Sequence, residues 1–225
     1  MELKDNIASL LSHVDHTLLS VTGTKEDYIQ LCSEGLQFKV ASVCVPPSRV
    51  QFCADYTKNA LAICTVVGFP NGYTTDEDKA FEAQNAIKNG AAEIDMVANI
   101  SMIKEQNYTA VLKDIQTVRE ATHNVILKVI IETALLTDEE KINMCAVVSE
   151  SGADYIKTST GFASGGATFA DIELMKKHAA PHLKIKAAGG IATFDDAFRF
   201  IELGADRLGT SRIVKLVQGL EGSGY

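Results

Sequence analysis

Gly90-Ala91-Ala92-Glu93-Ile94-Asp95-Met96-Val97, Gly152-Ala153-Asp154-Tyr155-Ile156-Lys157-Thr158-Ser159 and Gly204-Ala205-Asp206-Arg207-Leu208-Gly209-Thr210-Ser211 are three copies of one pattern. Each opens on a glycine suited to the left-handed position that ends a helix, then enters a short run suited to a strand. The fifth residue beyond each glycine (Asp95, Lys157, Gly209) holds an equivalent place on its strand. Working outward, β-rich runs fall at 13–17, 39–45, 61–69, 92–98, 126–133, 155–159, 184–188 and 207–210. Between them, segments such as 75–89, 108–122, 138–150, 169–178 and 194–203 carry apolar residues at helical spacing. Strict alternation without a long linker predicts an α/β chain folded as a single (β/α)8 TIM barrel over residues 1–225, ending in a short flexible tail at about 219–225. The alternative, a doubly wound dinucleotide-binding sheet, lacks a G-x-G-x-x-G after its first strand. In a barrel, alternate strands fill the same interior layer, so Asp95 and Lys157 are expected to point inward at one height, with Val97, Ser159 and Ser211 one layer nearer the mouth. The last helix is expected to run from the mouth near Ser211 toward the bottom.

Composition limits the partners. The chain has 225 residues, 46% of them apolar, and a formal net charge of −8, so it can bury a core and is a poor match for a nucleic-acid backbone. The N-terminal stretch lacks the basic start and apolar run of a secretory signal, and no run is long enough for a membrane span; a cytoplasmic protein is expected. Five cysteines without a C-x-x-C pair read as reduced, mostly structural thiols.

A lysine inside the apolar strand Tyr155-Ile156-Lys157-Thr158-Ser159 needs compensation, because an unpaired buried ammonium costs several kcal/mol. An ion pair with Asp95 would suffice on its own. A second lysine, Lys186, stands at the end of the neighbouring strand, and two close ammonium groups disfavour each other's charge. A neutral amine is the nucleophile that makes a Schiff base with a carbonyl, so Lys157 is the candidate nucleophile, Lys186 its modulator and Asp95 a proton shuttle. Asp15 and Thr158 are further candidates for catalysis or substrate contact; His16 and Glu132 are weaker ones. Gly189, Gly190, Gly209, Thr210 and Ser211 lie in the loops after the last two strands, where barrels commonly bind phosphate. No metal ligand cluster of the H-x-H or H-E-x-x-H type is present, and neither metal nor cofactor is expected.

Taken in order, Asp15-His16-Thr17-Leu18, Glu93-Ile94-Asp95-Met96-Val97, Lys128-Val129-Ile130-Ile131-Glu132-Thr133, Tyr155-Ile156-Lys157-Thr158-Ser159-Thr160-Gly161-Phe162, Gly165-Gly166-Ala167-Thr168, Lys186-Ala187-Ala188-Gly189-Gly190-Ile191 and Arg207-Leu208-Gly209-Thr210-Ser211 resemble the motifs of the deoxyribose-phosphate aldolase family. The resemblance implies a metal-independent, class I lyase that cleaves 2-deoxy-D-ribose 5-phosphate reversibly to acetaldehyde and D-glyceraldehyde 3-phosphate in deoxynucleoside breakdown. It implies a Schiff base on Lys157, a pKa-lowering role for Lys186 and a proton relay through Asp95. Its partners would be a small phosphorylated sugar and aldehydes, and a homodimer is expected from barrels of this size. Phe162 stands where some members carry a phosphate-contacting lysine, and Arg212 is the candidate replacement. Tyr225 matches a terminal tyrosine that in some members enters the site. Rival readings are another Schiff-base aldolase, a metal-dependent barrel using Asp95 and Glu132, and a silent sugar-phosphate binder.

Overall fold

The computed structural model describes residues 2–123 and 125–219. Eight parallel strands, β1 (Val14–Thr17), β2 (Ser42–Val45), β3 (Ile63–Val67), β4 (Glu93–Val97), β5 (Ile126–Ile130), β6 (Tyr155–Lys157), β7 (Lys184–Ala188) and β8 (Arg207–Thr210), pair in chain order, and β8 closes on β1. Around them run α1 (Glu2–Leu11), α2 (Lys25–Phe38), α3 (Val50–Thr57), α4 (Asp76–Lys88), α5 (Ile100–Lys104), α6 (Tyr108–Thr122), α7 (Asp138–Glu150), α8 (Phe169–His178), α9 (Phe194–Glu202) and α10 (Ile213–Val217). The fold is the (β/α)8 barrel that the repeat predicts. Gly90, Gly152 and Gly204 take positive φ values of 104°, 82° and 108°, as the helix-ending pattern requires.

Local signals explain where helices begin. Thr24, Thr137 and Thr193 each form a capping box with the acidic residue three positions on, satisfying N–H groups that α2, α7 and α9 leave open. The first six predicted strands are shorter than their sequence runs, and for two of them the backbone shows why. Lys39 caps α2 in the left-handed region (φ 52°), so β2 starts at Ser42. Glu132 is also left-handed (φ 53°) and turns the chain after Ile130. The last helix differs too: α10 stops at Val217, and Gln218 donates to Glu34 on α2 at 3.3 Å. The expectations for residues 220–225, Tyr225 included, lie outside the described residues.

Alternation along the strands separates two interiors. Outward residues such as Ile94, Met96, Leu127, Val129, Ile156, Ile185 and Leu208 join the helices in one apolar core. Each buried side chain of this kind contributes about 1.5–3 kcal/mol, so stability resides chiefly in that outer shell. The space enclosed by the strands is instead lined by Asp15, Glu93, Asp95, Lys128, Lys157, Lys186 and Arg207, with a small apolar group of Cys44, Cys64 and Val66.

In the outer shell Lys79 on α4 and Asp114 on α6 form a fully buried ion pair, Nζ to Oδ2 2.6 Å. Burial outweighs the lysine and pushes the Asp114 carboxyl up to about 6. Lys79→Met alone is expected to cost about 3–5 kcal/mol in urea unfolding at pH 7, whereas Lys79→Met with Asp114→Leu is expected to cost little. A carboxyl whose folded value is raised contributes stability below its unfolded value, near 4, and loses it as pH rises through the folded value. The single-variant penalty should therefore be smaller at pH 4 than at pH 7; a penalty that grows on acidification would refute this account.

Candidate active site

Asp95 is the hub of the barrel interior. Its Oδ1 accepts from Lys128 Nζ at 2.7 Å and from the Cys64 thiol at 3.2 Å, and its Oδ2 accepts from Lys157 Nζ at 2.8 Å and Lys186 Nζ at 2.7 Å. Register makes this possible: Asp95 stands opposite Lys128, and Lys157 opposite Lys186, on neighbouring strands. Below the hub, Lys186 also reaches Asp15 at 2.5 Å and Lys128 reaches Glu93 at 2.6 Å. Arg207 closes the floor, pairing with Asp15 at 2.5 Å and Glu93 at 3.2 Å beneath the Tyr155 ring.

The electrostatics follow from this packing. Burial raises the Asp95 carboxyl, but Lys128, Lys157 and Lys186 overcome it and hold the group well below the usual range. Burial likewise opposes ionisation of Asp15, which Lys186, Lys128 and Arg207 nonetheless hold low. Burial pushes Lys186 down, yet Asp15 and Asp95 dominate and keep it protonated far above an ordinary lysine. Lys128 is held up in the same way, burial being outweighed by Asp95, Cys64, Asp15 and Glu93. The expected meeting of Lys157 and Lys186 therefore occurs across a shared carboxylate oxygen, with Lys186 firmly cationic.

Other sequence candidates separate into different roles. Asp15 lies fully buried under Lys186, held also by the Ser42 hydroxyl at 2.7 Å, and contacts the lysine network rather than the mouth. Thr158 spans β6 and β7: its hydroxyl donates to the Ala188 carbonyl and accepts from the Ala188 N–H at 3.0 Å, so it serves the strand joint. His16 is bound to Glu34 at 2.8 Å, and Glu132 accepts from the Thr160 N–H and hydroxyl. Lys128, Glu93 and Arg207 belong to this charged interior and were not among the sequence candidates. Lys128 carried the same signal as Lys157, a lysine within an apolar strand.

Above the lysines, Gly189, Gly190, Gly209, Thr210, Ser211 and Arg212 line a cavity of about 280 Å³, with Gly161 and residues 163–166 on its far wall. Gly189 and Gly190 both have positive φ (74° and 78°), which turns this loop's backbone into the cavity. A Cβ on Gly166 would lie 2.5 Å from the Gly189 carbonyl carbon, so the two loops can approach only through glycine. Among the described residues, the N–H groups of Gly190 and Ser211 have no intramolecular partner. Gly209 has a second use, since a Cβ there would crowd Lys186 Cε at 3.2 Å. Phe162 lies off to one side, edge-on to Phe69 at 5.2 Å, in a separate rim pocket. Such a cavity suits an oxyanion and the lysine beneath it suits a carbonyl.

One donor trio, Cys44, Cys64 and Asp95, gathers within 4.8 Å. Both oxygens of that carboxylate already take ammonium groups, and a divalent cation would be repelled by them.

Residues 9–219 match the model of the DeoC/LacD family aldolases. The chain belongs to that family. A relative from Clostridioides difficile, named deoxyribose-phosphate aldolase, is 51% identical over 96% of this chain and 99% of its own length. A Streptococcus agalactiae protein of the same name is 51% identical over 97% of this chain and 96% of its own. Among solved structures, deoxyribose phosphate aldolase from Aeropyrum pernix is 31% identical with a TM-score of 0.86, covering 95% of this chain and 91% of its own. Membership in an aldolase family agrees with an interior lysine under an open mouth. No described helix is long and apolar enough to cross a membrane.

Proposed function

We propose that this DeoC/LacD-family chain catalyses the reversible cleavage of 2-deoxy-D-ribose 5-phosphate to acetaldehyde and D-glyceraldehyde 3-phosphate, through a Schiff base on Lys157, in deoxynucleoside breakdown in the cytoplasm. The observation that carries this reading is the placement of Lys157 on Asp95, at 2.8 Å, at the end of β6, whose following loop supplies Gly161 to the glycine-lined cavity. The Lys157 amine attacks C1 of the open-chain aldehyde, and the carbinolamine loses water as Asp95 and Lys186 pass protons to the leaving hydroxyl. The protonated imine then accepts the electron pair of the C2–C3 bond while the C3 hydroxyl loses its proton. Glyceraldehyde 3-phosphate leaves, the remaining enamine takes a proton at C2, and hydrolysis frees acetaldehyde and the amine. Neither a redox partner nor a metal enters this balance. Gly190, Ser211 and Arg212 hold the phosphate at the far end of the sugar. The reading includes assembly as a homodimer; the Aeropyrum pernix relative is described as a tetramer.

The test is product formation from acetaldehyde and D-glyceraldehyde 3-phosphate, resistant to a chelator, with unphosphorylated D-glyceraldehyde as the comparison. The phosphorylated acceptor is expected to be favoured in kcat/KM by about 10- to 100-fold, the range of one or two charge-assisted hydrogen bonds. Arg212→Ala should lower that preference through KM. Equal kcat/KM for both acceptors would remove the phosphate assignment, and a product other than the five-carbon deoxysugar would remove the substrate.

A further inference from the structure

The charged and titratable groups around Lys157 come from every strand of the barrel: Asp15 on β1, the thiols of Cys44 on β2 and Cys64 on β3, Glu93 and Asp95 on β4, Lys128 on β5, Tyr155 on β6 with Lys157 itself, Lys186 on β7 and Arg207 on β8. Within this connected network the cations Lys128, Lys157, Lys186 and Arg207 face only three carboxylates, Asp15, Glu93 and Asp95. One positive charge is in excess. Arg207 does not give up a proton in proteins. Lys128 and Lys186 each touch two carboxylates within 2.7 Å, whereas among the described residues Lys157 touches Asp95 alone, and it is the least buried of the three lysines.

We propose that Arg207 and Glu93, an ion pair on the barrel floor without contact to Lys157 or the mouth, are positioning residues whose net charge sets how readily Lys157 exists as a free amine. This rests on Lys157 being the Schiff-base lysine. Arg207 acts in two ways: it adds the unmatched charge, and by holding Asp15 and Glu93 it orients the carboxylates that anchor Lys186 and Lys128. Removing Arg207's charge lets Lys157 keep its proton. Removing the charge of Glu93 enlarges the positive excess and drives that proton off.

The two substitutions therefore have opposite signs, which simple damage to the floor does not produce. Acetaldehyde is trapped on the protein with cyanoborohydride from pH 5 to 8, and the adduct on Lys157 is quantified by peptide mapping. In Arg207→Met the midpoint of trapping is expected to move to higher pH, with acid-side trapping down on the order of tenfold. In Glu93→Gln, which keeps the side-chain shape, it is expected to move to lower pH. Arg207→Lys, and the double variant Glu93→Gln/Arg207→Met, should return the midpoint to that of the parent. Should Arg207→Met fail to fold, the sign of the Glu93→Gln shift decides alone. Midpoints that coincide with the parent, or two singles that move the same way, overturn the proposal. Absence of any Lys157 adduct in the parent protein overturns the Schiff-base assignment instead.

Discussion

Borohydride added in the presence of acetaldehyde is expected to fix a reduced two-carbon group on Lys157, and Lys157→Ala is expected to accept none and to lose turnover by about 10⁴-fold or more, the scale seen when a covalent nucleophile is removed. The expectation follows from position. Lys157 retains slight exposure at the mouth-side end of β6, while Lys128 and Lys186 are fully sealed. Lys157→Arg should be equally inactive, because a guanidinium stays protonated and cannot add to a carbonyl. An adduct recovered on Lys186 would exchange the roles of the two lysines.

Asp95→Asn is expected to have the second largest effect, and on two quantities at once. The substitution leaves Lys128, Lys157 and Lys186 without the carboxylate on which all three converge, so a loss of about 3–5 kcal/mol in unfolding free energy at pH 7 is expected. Because the folded-state carboxyl is depressed, its contribution is complete above the ordinary aspartate value near 4 and is lost as pH falls through the folded value. The stability gap between parent and variant should thus be constant from pH 5 to 8 and narrow only in stronger acid. Trapping on Lys157 should slow as well, by about 10²- to 10⁴-fold for a lost proton shuttle. A variant that keeps its stability but loses trapping would separate the relay from the ion network; unchanged stability at pH 7 would contradict the hub.

Much of this geometry was legible in the sequence. The three glycine-led repeats placed Asp95 and Lys157 at equivalent positions, and the closed register brings them within 2.8 Å. The cavity loops were legible because glycine at a βα turn reports where backbone must approach something. Less was visible on the floor. Glu93 and Arg207 begin their strands, where charged residues usually meet solvent, and only the barrel's tilt and closure turn them inward toward Asp15. Lys128 was hidden differently: it sits in Ile126-Leu127-Lys128-Val129-Ile130, and the repeat that flagged even-numbered strands passed over the fifth. Thr158 was a candidate for catalysis or substrate contact, and its hydroxyl is engaged by Ala188 on β7.

The floor salt bridge also bears on how the molecule forms. Asp15 and Arg207 are 192 residues apart along the chain, and each belongs to the strand at one end of the ring. Contacts of such separation form only after the entropy of a long loop has been overcome, which slows folding relative to local pairing. The lysines cannot be desolvated cheaply until those carboxylates arrive. Helices and individual βα units can condense early around the outer apolar shell, yet a partially closed ring leaves several ammonium groups without counter-charges. The amine proposed to react is thereby completed in the final closure step, and refolding monitored by imine trapping should trail refolding monitored by helical content.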